Sequence, residues 1–253
     1  MTDTRDCPVK ATRTSVRVLE ELIELNGATL TDLVERMDLS KSSIHDHLTT
    51  LDRLGLVVRE EWTYRVSLRF FRIGTTIRNE FELYRAGRAA VSQLANASGL
   101  EASLSVLEGG QLVCLSTATP ELPQDPIVGD GDVLPLHCTA PGKAVLASVD
   151  AERVEEVVSE RLESYTENTV TTAETLREEF DVISSQGWAV DREEWQDGVR
   201  GVATTVTASD GDVLGAIGVT GATGSLTGKR FQQDVPGLVI STANGIKRDL
   251  QTP

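Results

Sequence analysis

The chain has 253 residues, a formal net charge of −15 and 40% hydrophobic residues. Its length suits one large domain or two ordinary ones, and nothing approaches the roughly 18 consecutive apolar residues of a transmembrane helix. The N-terminal sequence lacks the apolar core of a secretory signal, and the three cysteines, Cys7, Cys114 and Cys138, lack metal-ligand spacing. We therefore expect a cytoplasmic protein with no membrane segment, no metal site and no cofactor.

The acidic charge is unevenly distributed along the chain. Residues 1–86 hold 13 Lys and Arg against 14 Asp and Glu, whereas residues 87–253 hold 11 against 25. The first segment is therefore nearly neutral and can approach a polyanion such as DNA. Only 5 of the 24 basic residues are lysines, and an acidic, lysine-poor composition is typical of proteins from very salty cytoplasm. We expect a halophilic source, such as a halophilic archaeon, with an ordinary acidic protein as the alternative.

Three helices are predicted in the first part of the chain. The first covers residues 10–26 and is expected to face a core with four apolar residues: Val16, Leu19, Leu22 and Ile23. Thr31 is expected to cap a second, short helix, and Ser40 a third helix that ends at Gly55. The third helix repeats apolar residues at helical spacing, namely Ile44, Leu48, Leu51 and Leu54.

Two strands are predicted next, over residues 56–59 and 64–67, around a tip at residues 60–63. Residues 27–67 thus predict a winged helix-turn-helix, in which a short helix positions a longer one for the major groove of DNA. A helical module that binds only protein is the alternative. The outward residues of the longer helix and the wing suit phosphates and base edges. They are Lys41, Ser42, Ser43, His45, Asp46, Thr49, Arg53, Arg59 and Arg65, with His47 placed on the same face.

Residues 68–86 predict a connecting helix with unusually many apolar side chains. These are Phe70, Phe71, Ile73, Ile77, Phe81 and Tyr84. Exposed aromatic residues at helical spacing indicate a partner surface, and packing onto the neighbouring domain is the alternative. We favour contacts within a homodimer.

From residue 87 onward, strands occur in hairpins with helices between them, which predicts an antiparallel sheet covered by helices. The predicted strands are residues 101–107, 111–117, 134–137, 188–191, 199–208 and 213–220, with a further short strand at 127–128. The predicted helices are residues 86–97, 140–147, 150–162, 172–186 and 229–250. The fold class is therefore α+β, divided into a DNA-binding domain (1–67), a connecting and dimerising helix (68–86) and a second domain (87–253).

Three segments of the second domain carry a resemblance to a known family. LPLHCTAPGKAVLAS at 134–148, GWAVDREEWQDGVRGVATTV at 187–206 and LGAIGVTG at 214–221 resemble hallmark segments of IclR-type transcription regulators. Together with the N-terminal winged helix, the resemblance covers residues 10–250. It implies a GAF-like effector domain, binding to double-stranded operator DNA as a dimer or tetramer, and a response to a small-molecule effector, an organic acid or a sugar-derived metabolite.

The resemblance also implies where the effector binds. The family's contacts fall on Ala140, Pro141, Asp191, Gly201, Gly218 and Thr220. The family commonly has Cys at position 201 and Ser at position 218, and Pro141 has no N–H to donate, so we expect a roomier, less polar pocket. Thr139 is expected to cap the helix that follows it, and the free N–H groups at that helix start suit a carboxylate, although an ordinary strand-to-helix turn is the alternative. A larger, partly apolar or sugar-derived ligand fits these departures better than a small keto acid.

No catalytic residues are predicted. His137 and Cys138 are neighbours on a predicted strand and should point to opposite faces, so they cannot easily pair. The acidic residues Glu178, Glu179, Glu193 and Glu194 are interpreted as a solvated face, with metal or acid chemistry as the alternative, and Asp191 is kept as an effector contact because of the resemblance. Nucleotide-binding, hydrolase and zinc-protease motifs are absent from the sequence. The hypothesis is a ligand-responsive transcription regulator. The alternatives are a small-molecule enzyme with an appended DNA-binding domain, and an operator-binding protein with a vestigial pocket.

Overall fold

The computed structural model describes residues 7–120, 126–159 and 162–251. The chain divides into two compact units, Met1–Ile77 and Arg78–Pro253. The division lies inside residues 68–86, the predicted connecting segment; the finer boundaries at 67 and 86 remain a prediction. Among the described residues, no helix has both the length and the apolar character needed to cross a membrane.

The described part of unit 1 before residue 68 consists of three helices and a small antiparallel sheet, and most of a fourth helix follows. Its elements are α1 (Lys10–Glu24), β1 (Ala28–Thr29), α2 (Leu30–Arg36), α3 (Lys41–Arg53), β2 (Val57–Glu60) and β3 (Thr63–Val66), and the strand order is β1-β3-β2. Leu33, Ile44 and Leu48 are fully buried and pack with Val18 and Leu22 of α1. These apolar contacts hold α2 and α3 in the helix-turn-helix arrangement that the sequence predicted.

Thr29, and not Thr31, caps α2. The Thr29 hydroxyl accepts a hydrogen bond from the Asp32 N–H at 3.3 Å, and the Asp32 carboxylate accepts one from the Thr29 N–H at 2.8 Å. This reciprocal capping box satisfies two N–H groups at the helix start. The predicted cap of α3 is confirmed, since the Ser40 hydroxyl accepts a hydrogen bond from the Ser43 N–H at 3.2 Å.

The buried face of α1 differs from the predicted one. Val18 and Leu22 are buried, whereas Val16 and Ile23 are 47% and 66% exposed. The helix has apolar residues on two faces, and periodicity alone cannot tell which one meets the core. Leu54 of the predicted α3 stripe is also exposed, because it lies past the last helical residue, Arg53.

The break between the two helices predicted over residues 68–86 and 86–97 lies at Phe81 and not at residue 86. Helix α4 covers Arg69–Glu80 and α5 covers Glu82–Ser98, with Phe81 in an extended conformation between them. The Arg85 guanidinium donates to the carbonyl oxygens of Asn79 and Glu80 at 2.9 and 2.8 Å, which satisfies the end of α4. No described residue of α4 is buried, and Phe71 is 71% exposed.

Unit 2 is built on a six-stranded antiparallel sheet with strand order β6-β5-β4-β9-β8-β7. The strands are β4 (Glu101–Glu108), β5 (Gln111–Ala118), β6 (Val133–Leu134), β7 (Ala189–Arg192), β8 (Val199–Thr207) and β9 (Val213–Ala222). The remaining helices are α6 (Ala140–Leu146), α7 (Ala151–Ser159), α8 (Ala173–Gln186) and α9 (Val235–Leu250), the last preceded by a π-helical turn at Arg230–Asp234. The predicted α+β fold class, with an antiparallel sheet covered by helices, is confirmed.

Two predicted strands of unit 2 are wrong. Ile127 and Val128 are not in a strand, because their N–H groups donate to the carboxylate of Glu101, both at 2.7 Å. The strand predicted over residues 134–137 ends at Leu134, and His137 and Cys138 lie in a turn that leads into α6. Part of the loop predicted over residues 118–132, namely 121–125, lies outside the described residues.

Both faces of the sheet are buried. Helices α5 and α9 cover one face, where Leu104, Ile217 and Val219 form the core. Helix α6 covers the other face, and beneath it lie small residues of adjacent strands, Ala189, Ala203 and Gly218. Small side chains allow a helix to lie close to a sheet, whereas the space at Gly218 is limited by Val202 and Ala203 of the neighbouring strand β8.

The replacement Gly218→Ser should destabilise the protein by about 1–3 kcal/mol, the usual range for overpacking. A Cβ atom at Gly218 would lie 2.7 Å from both the Ala203 Cβ and the Val202 carbonyl oxygen, so β8 and β9 must move apart. Gly245→Ala in α9 is the control, because a Cβ there meets nothing within 4 Å. The measurement is the free energy of unfolding from chemical denaturation, and equal stability of Gly218→Ser and its parent would contradict the packing described.

Candidate functional site

The exposed face of α3 carries the polar residues that the sequence placed there. Five of them are exposed: Lys41, Ser42, His45, Asp46 and Arg53; Ser43 and Thr49 are half-buried beside them. The opposite face is fixed in the core by Ile44, Leu48 and Leu51. The arrangement presents short hydrogen-bonding side chains on a helix whose orientation is set by apolar packing, as a groove-reading helix requires.

His47 does not belong to this exposed face, contrary to the sequence-based placement. Its ring is half-buried, and Nδ1 lies 2.9 Å from the Ser15 hydroxyl of α1. The bond joins α1 to α3 across 32 positions of sequence, and no local pattern could have revealed it. His47 therefore positions α3 and is unavailable on the outward surface.

The wing ends in an exposed aromatic residue that the sequence reasoning missed. Trp62 is 75% exposed at the tip between β2 and β3. The Arg59 guanidinium lies 5.4 Å from the Trp62 ring and 5.5 Å from the Tyr64 ring, and its Nε donates to the Glu61 carbonyl at 2.8 Å. Arg65 lies across the hairpin, 3.8 Å from the Glu60 carboxylate. The sequence could have indicated this exposed residue, because Trp62 falls inside the predicted hairpin tip at residues 60–63.

In unit 2, four residues form a row across the sheet. Asp191 pairs with Gly201, Gly201 with Thr220, and Thr220 with Glu101, each on the neighbouring strand. Directly opposed residues of antiparallel strands lie on the same face, and strands are about 4.8 Å apart. Three of the six expected effector residues, Asp191, Gly201 and Thr220, are therefore brought together, and Glu101, which the sequence reasoning missed, extends the row.

Helix α6 brings Ala140 and Pro141 to the same face. A Cβ atom at Gly201 would lie 3.2 Å from the Ala140 Cβ and 3.5 Å from the Asp191 Cβ. Thr139 caps α6 as predicted, since its hydroxyl accepts a hydrogen bond from the Gly142 N–H at 3.2 Å. The prediction that glycine leaves extra space in the pocket is wrong at Gly218, where an added Cβ atom would meet the backbone of β8. At Gly201 the space left by the missing side chain is no larger than a methyl group.

A buried ion network lies beside Asp191. The Lys143 ammonium is fully buried and donates to both carboxylate oxygens of Glu194, at 2.6 and 2.7 Å, and to Glu179 at 2.7 Å. Glu194 is 3% exposed, so its placement on a solvated acidic face is wrong. Burial raises the pKa of Glu194, and the Lys143 ammonium counteracts that shift.

Asp191 is a buried carboxyl group with one clear partner. Its Oδ1 accepts a hydrogen bond from the Glu194 N–H at 2.8 Å. Burial, with a smaller contribution from the Glu194 carboxylate, raises the pKa of Asp191 to about 7, although the Glu194 N–H, the Lys143 ammonium and the Trp195 N–H act in the opposite direction. Asp191 can therefore exchange a proton close to neutral pH.

His137 and Cys138 do not form a nucleophile and base. They lie in a turn and not on a strand, so the predicted reason for their separation is wrong. The His137 ring nitrogen Nε2 instead lies 2.9 Å from the Glu163 carbonyl oxygen. Burial raises the pKa of the Cys138 thiol well above its ordinary value and lowers the pKa of His137. In the described ranges, no group of three or more His, Cys, Asp or Glu residues is placed to hold a metal ion.

A cavity of about 250 Å³ opens at the Glu101 end of the row. Glu101 and Thr220 line it from the sheet, and Thr119, Ile127, Val199 and Ser225 are among the other residues of its wall. Glu101 is 7% exposed, and burial is the main cause that raises its pKa. This cavity therefore lies next to Glu101 and Thr220, and Asp191 is not among the residues that line it.

Replacing Asp191 with Asn should remove a pH-dependent loss of stability. In the unfolded chain an aspartate loses its proton near its ordinary pKa of 3.8, whereas the folded protein retains the proton up to a pH of about 7. The folded state thus binds more protons in this window, and its stability falls as the pH rises. Relative to the parent, Asp191→Asn should gain stability from pH 4 to 7, by a few kcal/mol, because one pKa unit corresponds to about 1.4 kcal/mol. Denaturation at several pH values measures this, and parallel profiles would refute it.

Two family models match the chain. The model described as bacterial transcriptional regulator IclR C-terminal matches residues 76–248, and a MarR family model matches residues 11–61. The probable HTH-type transcriptional regulator ArcR of Halobacterium salinarum is 30% identical over 247 residues, which cover 94% of this chain and 92% of that protein. The glycerol operon regulatory protein of Streptomyces coelicolor is 28% identical over 87% of this chain and 88% of its own.

Solved structures share the fold. The IclR protein of Thermotoga maritima superposes with a TM-score of 0.81 at 20% identity, over 95% of this chain and 98% of that one. An IclR homologue from Microbacterium hydrocarbonoxydans, complexed with 4-hydroxybenzoate, gives 0.82 at 21% identity, over 96% and 100%. The protein belongs to the IclR family of transcriptional regulators, with an N-terminal helix-turn-helix and a C-terminal effector domain.

Proposed function

We propose that this protein binds operator DNA as a homodimer or a dimer of dimers, and that a small molecule bound in unit 2 changes its affinity for DNA. The observation that carries the proposal is the exposed polar face of α3, fixed by a buried apolar face and followed directly by a wing. That combination gives one helix that can enter the major groove and a hairpin beside it that can reach the flanking backbone.

The residues of the DNA surface have two roles in this proposal. Lys41, Arg53, Arg59 and Arg65 meet phosphates, while Ser42, Ser43, His45, Asp46 and Thr49 lie nearest base edges. Phosphate contacts position the protein, and base contacts distinguish sequences. Because unit 1 is nearly neutral overall, its net charge contributes little to DNA affinity. In this proposal, hydrogen bonds from the short side chains of α3 distinguish the operator from other sequences.

The dimer is proposed to form through exposed apolar helix surfaces of unit 1. Phe70, Phe71, Ile73 and Ile77 of α4 are between 38% and 71% exposed, and Val16 and Ile23 of α1 add a second stripe seven residues apart. Apolar surface on two helices is costly to leave in water and suits a second copy of the same surface. A two-fold dimer places two α3 helices about one turn of DNA, or a multiple, apart, so the operator is a near-palindrome.

The effector is proposed to contact the face formed by Ala140, Pro141, Asp191, Gly201, Gly218 and Thr220. The row of cross-strand pairs and the approach of Ala140 to Gly201 support this placement. A relative with bound 4-hydroxybenzoate shows that the fold accommodates a small molecule. Because effector and DNA act on one protein, each changes the affinity of the other by the same factor.

Ser43→Ala and Arg53→Ala should separate the two kinds of DNA contact. Ser43→Ala should alter sequence preference at a cost of about 1–3 kcal/mol per lost base contact, whereas Arg53→Ala should weaken binding to all sequences equally. Fluorescence anisotropy with the operator, found by mapping genomic binding sites, and with random DNA measures both. Arg36→Ala is the control, since Arg36 is paired with Glu21 and Glu24. Parent-like binding by both test variants would reject this surface.

Replacing both Phe70 and Phe71 with Glu should convert the dimer into monomers, because the charged side chains cannot be buried unpaired at the interface. Light scattering in concentrated salt measures the molar mass in solution. The loss of the dimer should be accompanied by a loss of affinity for the operator. Val182→Glu is the control, since Val182 is 58% exposed in unit 2 and is not assigned to the interface. A monomeric parent protein would show that the dimer proposal is wrong.

A further inference from the structure

The cavity beside Glu101 is lined by polar groups that can form further hydrogen bonds. Both Glu101 oxygens accept backbone N–H groups, from Ile127 and Val128, at 2.7 Å. A carboxylate has about four acceptor positions, so about two remain for a ligand. The hydroxyls of Thr119, Thr220 and Ser225 also line the cavity, and each is without a hydrogen-bond partner in the part of the chain that the structure describes.

The cavity has no positive charge to receive an anion. Its wall contains no Lys, Arg or His among the described residues. The described residues 126–132, which include the wall residue Ile127, contain Asp130 and Asp132 and no Lys, Arg or His. A carboxylate anion placed here would meet like charges without a compensating partner, which is the costly way to bury a charge.

The nearest arginines are already engaged elsewhere. The Arg200 guanidinium donates to the Leu226 carbonyl at 3.0 Å and to Glu193 at 3.3 Å, and it lies 5.5 Å from the Phe231 ring. Arg230 donates to the Ser98 carbonyl. Lys143, beside Asp191, donates to three carboxylate oxygens. Each of these three cations therefore already donates to carbonyl or carboxylate oxygens of described residues.

We propose that this cavity binds an uncharged, polyhydroxylated metabolite, whose hydroxyl groups donate to Glu101 and bond with Thr220, Thr119 and Ser225, and that it rejects organic-acid anions. This deepens the effector response proposed above and rests on it. The volume of about 250 Å³ is below the roughly 300–1,000 Å³ of sites for drug-sized ligands, which suits a short polyol or a sugar alcohol. An amine is disfavoured as well, because the two N–H donors already offset the Glu101 charge and burial raises the pKa of Glu101.

Matched compounds that differ only in charge test the proposal. The full-length protein is titrated in concentrated salt at neutral pH with glycerol, glycerate and the amine serinol, and with glucitol, gluconate and glucamine. Thermal stabilisation and calorimetry report binding. At least one polyol should bind about tenfold or more tightly than its acid and its amine, as expected for a site built to pair with hydroxyls. Tighter binding of an acid or an amine, or no binding by either polyol, overturns the proposal.

Two substitutions assign the selectivity to the cavity. Glu101→Gln removes the charge and one acceptor oxygen at constant size, so the preference for polyol over acid should fall by about tenfold. Thr220→Val removes one hydroxyl at constant shape and should weaken the polyol without improving the acid. Glu108→Gln on the same strand and Thr205→Val on β8 are matched controls, and their selectivity should equal that of the parent. If the test variants also keep the parent's selectivity, the cavity is not the site.

Operator binding in the same samples separates this proposal from the broader one. If gluconate or glycerate changes operator affinity while polyols do not, the protein is effector-responsive and the assigned ligand class is wrong. If the protein shows no preference for its mapped genomic sites over random DNA, the proposed function itself fails. Selective polyol binding that changes operator affinity supports both.

Discussion

The fully buried ammonium group of Lys143 joins three elements of unit 2. It projects from α6 and donates to Glu194, which follows β7, and to Glu179 of α8. Removing one partner of a buried ion pair typically costs about 3–5 kcal/mol, because the other charge is left without compensation. The position of α6 over the sheet therefore depends on this network. Ala140, at the start of α6, contacts the sheet at Gly201, so the geometry of the candidate effector face depends on it too.

The same network decides the electrostatics of that face. Because Lys143 donates to three carboxylate oxygens, it only partly offsets the burial of Asp191, and among the described residues no Lys, Arg or His lines the cavity beside Glu101. Both carboxyl groups have pKa values raised mainly by burial. In a chain whose residues 87–253 carry most of the negative charge, a cavity wall with a buried carboxyl group, several hydroxyl groups and no cation among the described residues is better suited to hydroxyl-bearing molecules than to anions.

In unit 1, a small apolar core holds α3 so that its polar face is exposed. Ile44 and Leu48 anchor α3, and the bond between His47 and Ser15 fixes it to α1. Counterion release contributes less to DNA binding as the salt concentration rises. In the proposed complex with DNA, hydrogen bonds from short polar side chains of α3 would depend less on charge screening than phosphate contacts do.

The sequence by itself determined the order and type of nearly all elements, because helix caps, glycine stops and alternating strands are local signals. It predicted Ser40 and Thr139 as caps, the hairpin at residues 108–110 and the antiparallel sheet, and the segments resembling the family indicated Asp191, Gly201 and Thr220 as neighbours. Local patterns also predicted which face of α3 is exposed. These features depend on backbone hydrogen bonding within a few residues, which sequence spacing records.

Tertiary structure decided which polar and apolar faces are covered. The alternating polar and apolar residues of β4 resemble a half-solvated strand, yet Glu101, Ser103 and Ser105 are all buried, because helices cover both faces of the sheet. Glu194 was predicted to be solvated and is paired with Lys143 instead, 51 positions away. The space at Gly218 and the outward face of α1 were likewise misjudged. Burial, close approach and ion pairing depend on residues distant in sequence, and only the packed structure brings those residues together.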